Sequence, residues 1–196
     1  MQRYAAITGW GHCLPEKVVT NRDLEVLIET NDEWIRTRTG IRERRIAGEH
    51  ETTSSLCTQA ARQALARARL HASRVDLIVC ATTTPDHLVP NTASVVQQQL
   101  GASAAGAFEI NAACSGFVCA LATATQFIKA GSCERIVVVG GETLSRFLNW
   151  KDRNTCVLFG DGAGAVVLEA TGSEYGMGWR SVVSPTTGCR IDAVSW

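Results

Sequence analysis

An α/β fold around a mostly parallel sheet is what this sequence predicts, and three observations carry it. Short runs rich in β-branched residues alternate with helix-length stretches at the spacing of βαβ units. One such run, residues 75–81, is apolar apart from Asp76, the pattern of a strand buried on both faces of a parallel sheet. The chain has 196 residues, 45% of them hydrophobic, enough for one full domain or two small ones around a sizeable core.

In chain order, residues 4–8 read as a first strand, ended by Gly9 and Gly11, with Pro15 in the loop that follows. Asn21 before Asp23, Leu24 and Glu25 is an N-cap with acidic residues in the first turn, so a helix is expected over 22–29. Residues 32–35 suggest a second short helix. It leads into a dense basic stretch of Arg36, Arg38, Arg42, Arg44 and Arg45. Thr53 or Ser54 caps a helix to about Leu70, with Leu56, Ala60, Ala64 and Ala68 on one stripe. Beyond the strand at 75–81, Pro85 and Pro90 bracket a loop, a helix covers 92–100, and a strand covers 107–111. A helix from Ser115 to Ala130 and a strand at 135–139 follow. Residues 155–159 and 164–168 look like two strands joined by a glycine turn.

Charge and cysteine usage bound the function. With 19 Lys+Arg against 19 Asp+Glu the formal charge is zero, which argues against nucleic acid or an anionic membrane as a partner. No stretch reaches the ~20 apolar residues of a membrane span, and the first strand follows Met1 without a signal-peptide run. A soluble cytoplasmic protein is the expectation. None of the eight cysteines forms a Cys-x-x-Cys pair, and His12, His50, His71 and His87 fall at no zinc-ligand spacing, so no metal site is expected. Seven of the eight cysteines read as buried free thiols. Cys114 differs.

Cys114 follows a strand and two alanines and stands at the start of a helix, with Ser115 and Gly116 behind it. Helix N–H groups and the helix dipole there favour a thiolate and can donate to an oxyanion, so the stretch has the logic of a nucleophile elbow. The same local pattern suits a structural cysteine capping a buried helix, and both readings stand. From Ala112 to Ile128 no residue is charged, so this helix is expected to be buried all round and to need a layer on each side. A second stretch, Phe159 to Ala165, has glycine at 160, 162 and 164. It lacks the lysine of a phosphate loop and runs into a strand, so a tight turn beside the active site is the better reading.

Taken together, these stretches resemble the β-ketoacyl-acyl carrier protein synthase III family of the thiolase superfamily, over its N-terminal half. The resemblance rests on residues 32–35, 37–44 and 81–85, the Cys114 stretch, Asp152 with Arg153, and residues 159–165, and it runs from residue 1 to about 175. It implies one half of a five-layer αβαβα fold, a mostly parallel or mixed five-stranded sheet with helices. It implies an acyltransferase that joins an acyl-CoA primer, usually acetyl-CoA, to malonyl-acyl carrier protein by decarboxylative Claisen condensation, initiating fatty acid synthesis. Cys114 matches the nucleophile that carries the acyl thioester. Trp34 matches the residue that stacks on the adenine of coenzyme A, with Arg153 on the opposite face, while Thr30 and Arg38 match contacts to the nucleotide and its phosphates. An aromatic face with guanidinium planes suits a base and its phosphates. Val89 falls where the family often carries a larger aromatic that reaches into a partner's acyl pocket. A homodimer is implied, with no metal and no cofactor beyond the coenzyme A thioester used as substrate.

The sequence departs from that family in two places. The catalytic His and Asn of the second half have no counterpart, since none of the four histidines matches and no His-Gly-Asn triplet occurs. Residues 176–196 read as a non-family tail, with 179–196 expected to be out of frame. An inactive fragment, or one half of a split protein needing a partner chain, is therefore the alternative to a working synthase. The isolated chain is expected to be aggregation-prone.

Overall fold

The computed structural model describes residues 3–172. The expected tail at 176–196 lies outside the described residues. One five-stranded sheet, in the order β1-β7-β6-β4-β5, forms the centre. Its strands are β1 (Tyr4–Cys13), β4 (Leu77–Ala81), β5 (Gly106–Ile110), β6 (Arg135–Thr143) and β7 (Asp161–Thr171). The strands β2 (Lys17–Thr20) and β3 (Glu43–Ile46) form a separate antiparallel pair. In the main sheet β4 runs parallel to β5 and β6, while β7 lies antiparallel between β6 and β1, so the sheet is mixed.

The alternation of β4 explains the layering. Ile78 and Cys80 point to one face, into a core with α3 (Thr53–Ala68) and α4 (Thr92–Leu100). Leu77, Val79 and Ala81 point to the other, against α5 (Gly116–Lys129). All five β4 residues are buried, as the continuous apolar run predicts. A third, small core of Leu24, Ile35, Cys156 and Val157 lies beneath α1 (Asn21–Glu25), α2 (Asp32–Thr39) and α6 (Arg153–Cys156).

Several expectations change. Strand β1 does not stop at Gly9 and Gly11 but runs through them to Cys13. The glycines let α3 lie against the strand, because a Cβ on Gly9 would sit 2.1 Å from the Ala64 carbonyl oxygen and one on Gly11 2.2 Å from that of Ala60. Helix α1 is shorter than expected and is capped by Thr20, in a reciprocal box with Asp23, because Asn21 turns inward. Helix α3 is capped by Thr52. The strand expected at 155–159 is absent: Asp152 caps α6 instead, its carboxylate accepting from the Asn154 N–H at 3.0 Å and the Thr155 hydroxyl at 2.8 Å. The glycine stretch is likewise no turn, since Gly162 and Gly164 are inside β7.

Helix α5 corrects the expectation of all-round burial. Gly116, Ala120, Ala124 and Ile128 are buried against the sheet, but Val118, Leu121 and Ala122 are half-exposed. One side of an uncharged helix has no layer over it among the described residues. The cysteines also divide differently from expectation. Cys57, Cys80 and Cys156 are buried, Cys13, Cys119 and Cys133 are half-buried, Cys114 is exposed, and Cys189 lies outside the described residues.

Candidate active site

Cys114 sits in a 3-10 turn, Ala113–Ser115, between the end of β5 and the start of α5. The chain makes this bend with Ala113 at φ +46°, a left-handed conformation that costs a residue with a Cβ and marks a constrained turn. The Ala113 N–H donates to Asn111 Oδ1 at 3.4 Å, holding the turn against the strand end. Gly116 then lets α5 approach β4, since a Cβ there would lie 3.3 Å from Ala81 Cβ. The strand–turn–helix succession read from the sequence is present, with one turn of 3-10 helix ahead of α5.

The Cys114 turn opens into a cavity of about 600 Å³. Its walls include Leu14, Phe117, Leu144 and Phe159, with the backbone of Gly162 and Ala163 from β7. The glycine stretch thus borders the cavity as a strand. Here the glycines leave room, because a Cβ on Gly162 would meet Leu14 Cδ2 at 2.9 Å. An exposed thiol within a largely apolar hollow can receive an acyl group and shield its thioester from water.

One charged group on this wall was not legible in the sequence. Glu142, on β6, accepts from the Thr83 N–H at 2.8 Å and from the hydroxyls of Thr83 and Thr84 at 2.9 and 2.6 Å. Thr84 in turn receives the Thr143 N–H at 2.8 Å. The carboxylate therefore knits the loop after β4 to the end of β6, beside the nucleophile. Three consecutive threonines directly after a buried strand are the signal that could have drawn attention to it.

A second group of predicted residues gathers elsewhere. Trp34 lies on α2 with the Arg38 guanidinium 4.6 Å from its ring centre, and Arg153 of α6 places its guanidinium 4.7 Å from the same ring. Arg153 also donates to the Glu29 carbonyl at 3.1 Å. Next to Glu29, the buried Thr30 hydroxyl oxygen has no hydrogen-bond partner among the described residues. A hollow of about 400 Å³ adjoins these groups, lined by Leu27, Ile28, Glu29, Lys151 and Arg153. The structure thus brings Trp34, Arg38 and Arg153 together and leaves Thr30 beside them with an unused polar atom. Cys114 belongs to the other, apolar cavity.

The helix that carries Trp34 is held by a buried network. Arg44 donates to Asn21 Oδ1 at 2.9 Å and to the carbonyls of Val19 and Val157 at 3.2 Å each. Asn21 donates to Asp32 Oδ1 and to the Ile41 carbonyl, both at 2.8 Å, at the two ends of α2. The Asn21 amide, followed by the Arg36 guanidinium, holds the Asp32 carboxyl below the usual carboxylate range. None of the four histidines lines the Cys114 cavity; His12 stacks on Trp10 and His71 caps a short 3-10 turn. No cluster of His, Cys, Asp and Glu able to hold a metal occurs among the described residues.

The chain is similar in sequence and fold to known proteins. A family model described as 3-oxoacyl-[acyl-carrier-protein (ACP)] synthase III matches residues 108–188. The chain is 55% identical over 177 residues to the β-ketoacyl-[acyl-carrier-protein] synthase III of Roseiflexus castenholzii, covering 90% of this chain and 54% of that one. The crystal structure of 3-oxoacyl-[acyl-carrier-protein] synthase III from Aquifex aeolicus superposes with a TM-score of 0.85 at 52% identity, covering 87% of this chain and 55% of that one. A priming β-ketosynthase of a polyketide biosynthetic pathway gives the same TM-score of 0.85 at 36% identity, over 87% of this chain and 51% of that one. No helix among the described residues is long and apolar enough to cross a membrane. The chain is a homologue of the β-ketoacyl-[acyl-carrier-protein] synthase III condensing enzymes of the thiolase superfamily, and it spans about half the length of the curated relatives it matches.

Proposed function

We propose that this chain carries the acyl-accepting part of the site of a synthase III-type condensing enzyme. The observation that carries the reading is the exposed Cys114 thiol on a strained elbow inside an apolar cavity. Trp34, Arg38 and Arg153 hold the adenine and phosphates of an acyl-CoA, and the free Thr30 hydroxyl takes up a nucleotide contact. The Cys114 thiolate attacks the thioester carbonyl, the tetrahedral oxyanion collapses, and coenzyme A leaves as a thiolate that takes up a proton. The acyl group stays on Cys114 as an activated thioester.

The second half-reaction is decarboxylative condensation with malonyl-acyl carrier protein to give 3-oxoacyl-acyl carrier protein. It requires groups that stabilise the malonyl enolate, and no histidine of this chain reaches the cavity among the described residues. In this reading they come from outside the described residues. A homodimer of the completed unit and a cytoplasmic location go with it.

Intact mass after incubation with acetyl-CoA tests the proposal, with Cys114→Ala as control. One acetyl group on the wild-type chain and none on the variant is the expected result. Turnover with malonyl-acyl carrier protein should then appear only when a second-half polypeptide is added. A folded chain that stays unmodified would be an inert fragment.

A further inference from the structure

The aromatic–arginine cluster lies on the small core and the Cys114 cavity on the main sheet, and one buried carboxylate joins them. Asp161 opens β7 and is 5% exposed. Its Oδ2 accepts from the Ala47 N–H at 2.7 Å and from the Ser145 hydroxyl at 2.5 Å, and its Oδ1 accepts from the Ser145 N–H at 2.9 Å. Ala47 directly follows β3, the strand that carries Arg44 and through it the Trp34 helix. Ser145 follows Leu144 of the cavity wall, and its carbonyl accepts from Trp150 Nε1 at 3.0 Å. Trp150 packs on the same small core as Trp34. On its other side, Asp161 is followed by Gly162 and Ala163, which face Cys114 in the cavity.

We infer that Asp161 is a positioning residue that sets the nucleotide-binding cluster at the correct distance from Cys114. The inference rests on the acyl-accepting reading above. A thioester delivered on coenzyme A is gripped at one end by Trp34, Arg38 and Arg153 and attacked at the other by Cys114, so the reaction depends on the spacing between two separately built units. Displacements of about 1 Å at a reacting centre can lower a rate on the order of a hundredfold. Surface contacts also bridge the units, as from Arg45 to the Pro15 carbonyl at 3.0 Å, but Asp161 is the buried carboxylate that binds the hairpin side and the cavity side at once. Asparagine at this position keeps the shape and turns an N–H₂ group toward either the Ala47 N–H or the Ser145 N–H, so one of these backbone donors loses its acceptor and the junction loosens.

Three quantities measured on the full-length wild type, Asp161→Asn and Ser145→Ala test this. They are coenzyme A binding by titration, Cys114 acetylation by a small thioester without a nucleotide, and Cys114 acetylation by saturating acetyl-CoA. In Asp161→Asn the first two should stay within about twofold of wild type while the third falls about 10–100-fold. Ser145→Ala should show the same pattern at smaller amplitude. A purely structural role would lower all three together, and that result overturns the inference, as does a folded Asp161→Asn chain with an unchanged acetyl-CoA rate. If Asp161→Asn does not melt cooperatively, Ser145→Ala decides by the same criterion. A wild-type chain that is acetylated by the small thioester but neither binds coenzyme A nor reacts with acetyl-CoA would overturn the coenzyme A part of the reading above, which is a failure distinct from that of the inference.

Discussion

Cysteine chemistry in this protein is decided residue by residue by what surrounds each sulfur. Cys57 lies fully inside the core, its sulfur pressed against β6 where Gly141 leaves space. A hydrogen bond with Cys80, and then burial, push its thiol well above the ordinary value. Burial and the nearby Asp152 raise Cys156 in the same way. Cys114 alone is exposed among the described cysteines. Iodoacetamide should therefore alkylate Cys114 first, and Cys57, Cys80 and Cys156 only once the chain unfolds. A mass-mapped time course checks this; simultaneous labelling of Cys57 and Cys114 would mean that the core around α3 opens readily. Glu142 shows the opposite kind of residue, a charge kept beside an apolar cavity by threonine donors from another strand end.

Among the elements, β1 and α3 depend closely on each other. The Gly9 backbone touches α3 so closely that an added Cβ would meet the Ala64 carbonyl oxygen at 2.1 Å and the Ala68 nitrogen at 2.7 Å. Neither contact is with a flexible side-chain end. Gly9→Ala should force strand and helix apart and lower stability by about 1–3 kcal/mol or more, read from urea unfolding midpoints. The junction between β4 and β6 has an electrostatic counterpart. Burial alone would raise the Asp76 carboxyl. The Glu134 and Arg135 N–H groups, both at 2.8 Å, and the Arg135 guanidinium outweigh it and hold the value below the usual range. A carboxyl depressed in the folded state stabilises above its unfolded value of about 3.9 and loses that contribution as pH falls through the lower folded value. Asp76→Asn should thus be less stable than wild type at neutral pH, and the difference should shrink as the pH is lowered below about 4. Thermal melts across that range would refute the assignment if the gap stayed constant.

At the level of the molecule, the half-exposed side of α5 is the feature with the widest consequence. Val118 and Ala122 lie on a helix without charge from its start to Ile128, while the opposite side packs on the sheet. Fully burying an exposed large apolar side chain contributes about 1.5–3 kcal/mol, and the partly buried side chains here gain a share of that under any surface that can seat there. The 196-residue chain should self-associate at micromolar concentration, and Val118→Glu should suppress it without loss of helical signal. Sedimentation velocity and circular dichroism together check this. A wild-type chain that stays monomeric at high concentration would show that the face is too weakly apolar to hold a second layer.

Local pattern was enough for the α/β class, the apolar strand β4, helix α4 over 92–100 and the strand–turn–helix succession around Cys114. Each is written in neighbouring residues, through side-chain period, a capping residue or a strand–small–helix succession. Resemblance to a family added Trp34, Arg38, Thr30 and Arg153, which no period singles out. The remaining features needed the folded chain. Gly9 and Gly11 look like strand ends until α3 is seen lying on them, and residues 155–159 look extended until Asp152 caps a helix there. Glu142 and Asp161 gain their meaning from donors contributed by distant segments. Backbone periodicity is a short-range property that a sequence displays directly. The meeting of Trp34 with Arg153, and of Asp161 with both Ala47 and Ser145, is fixed only when the sheet and the small core beside it have closed.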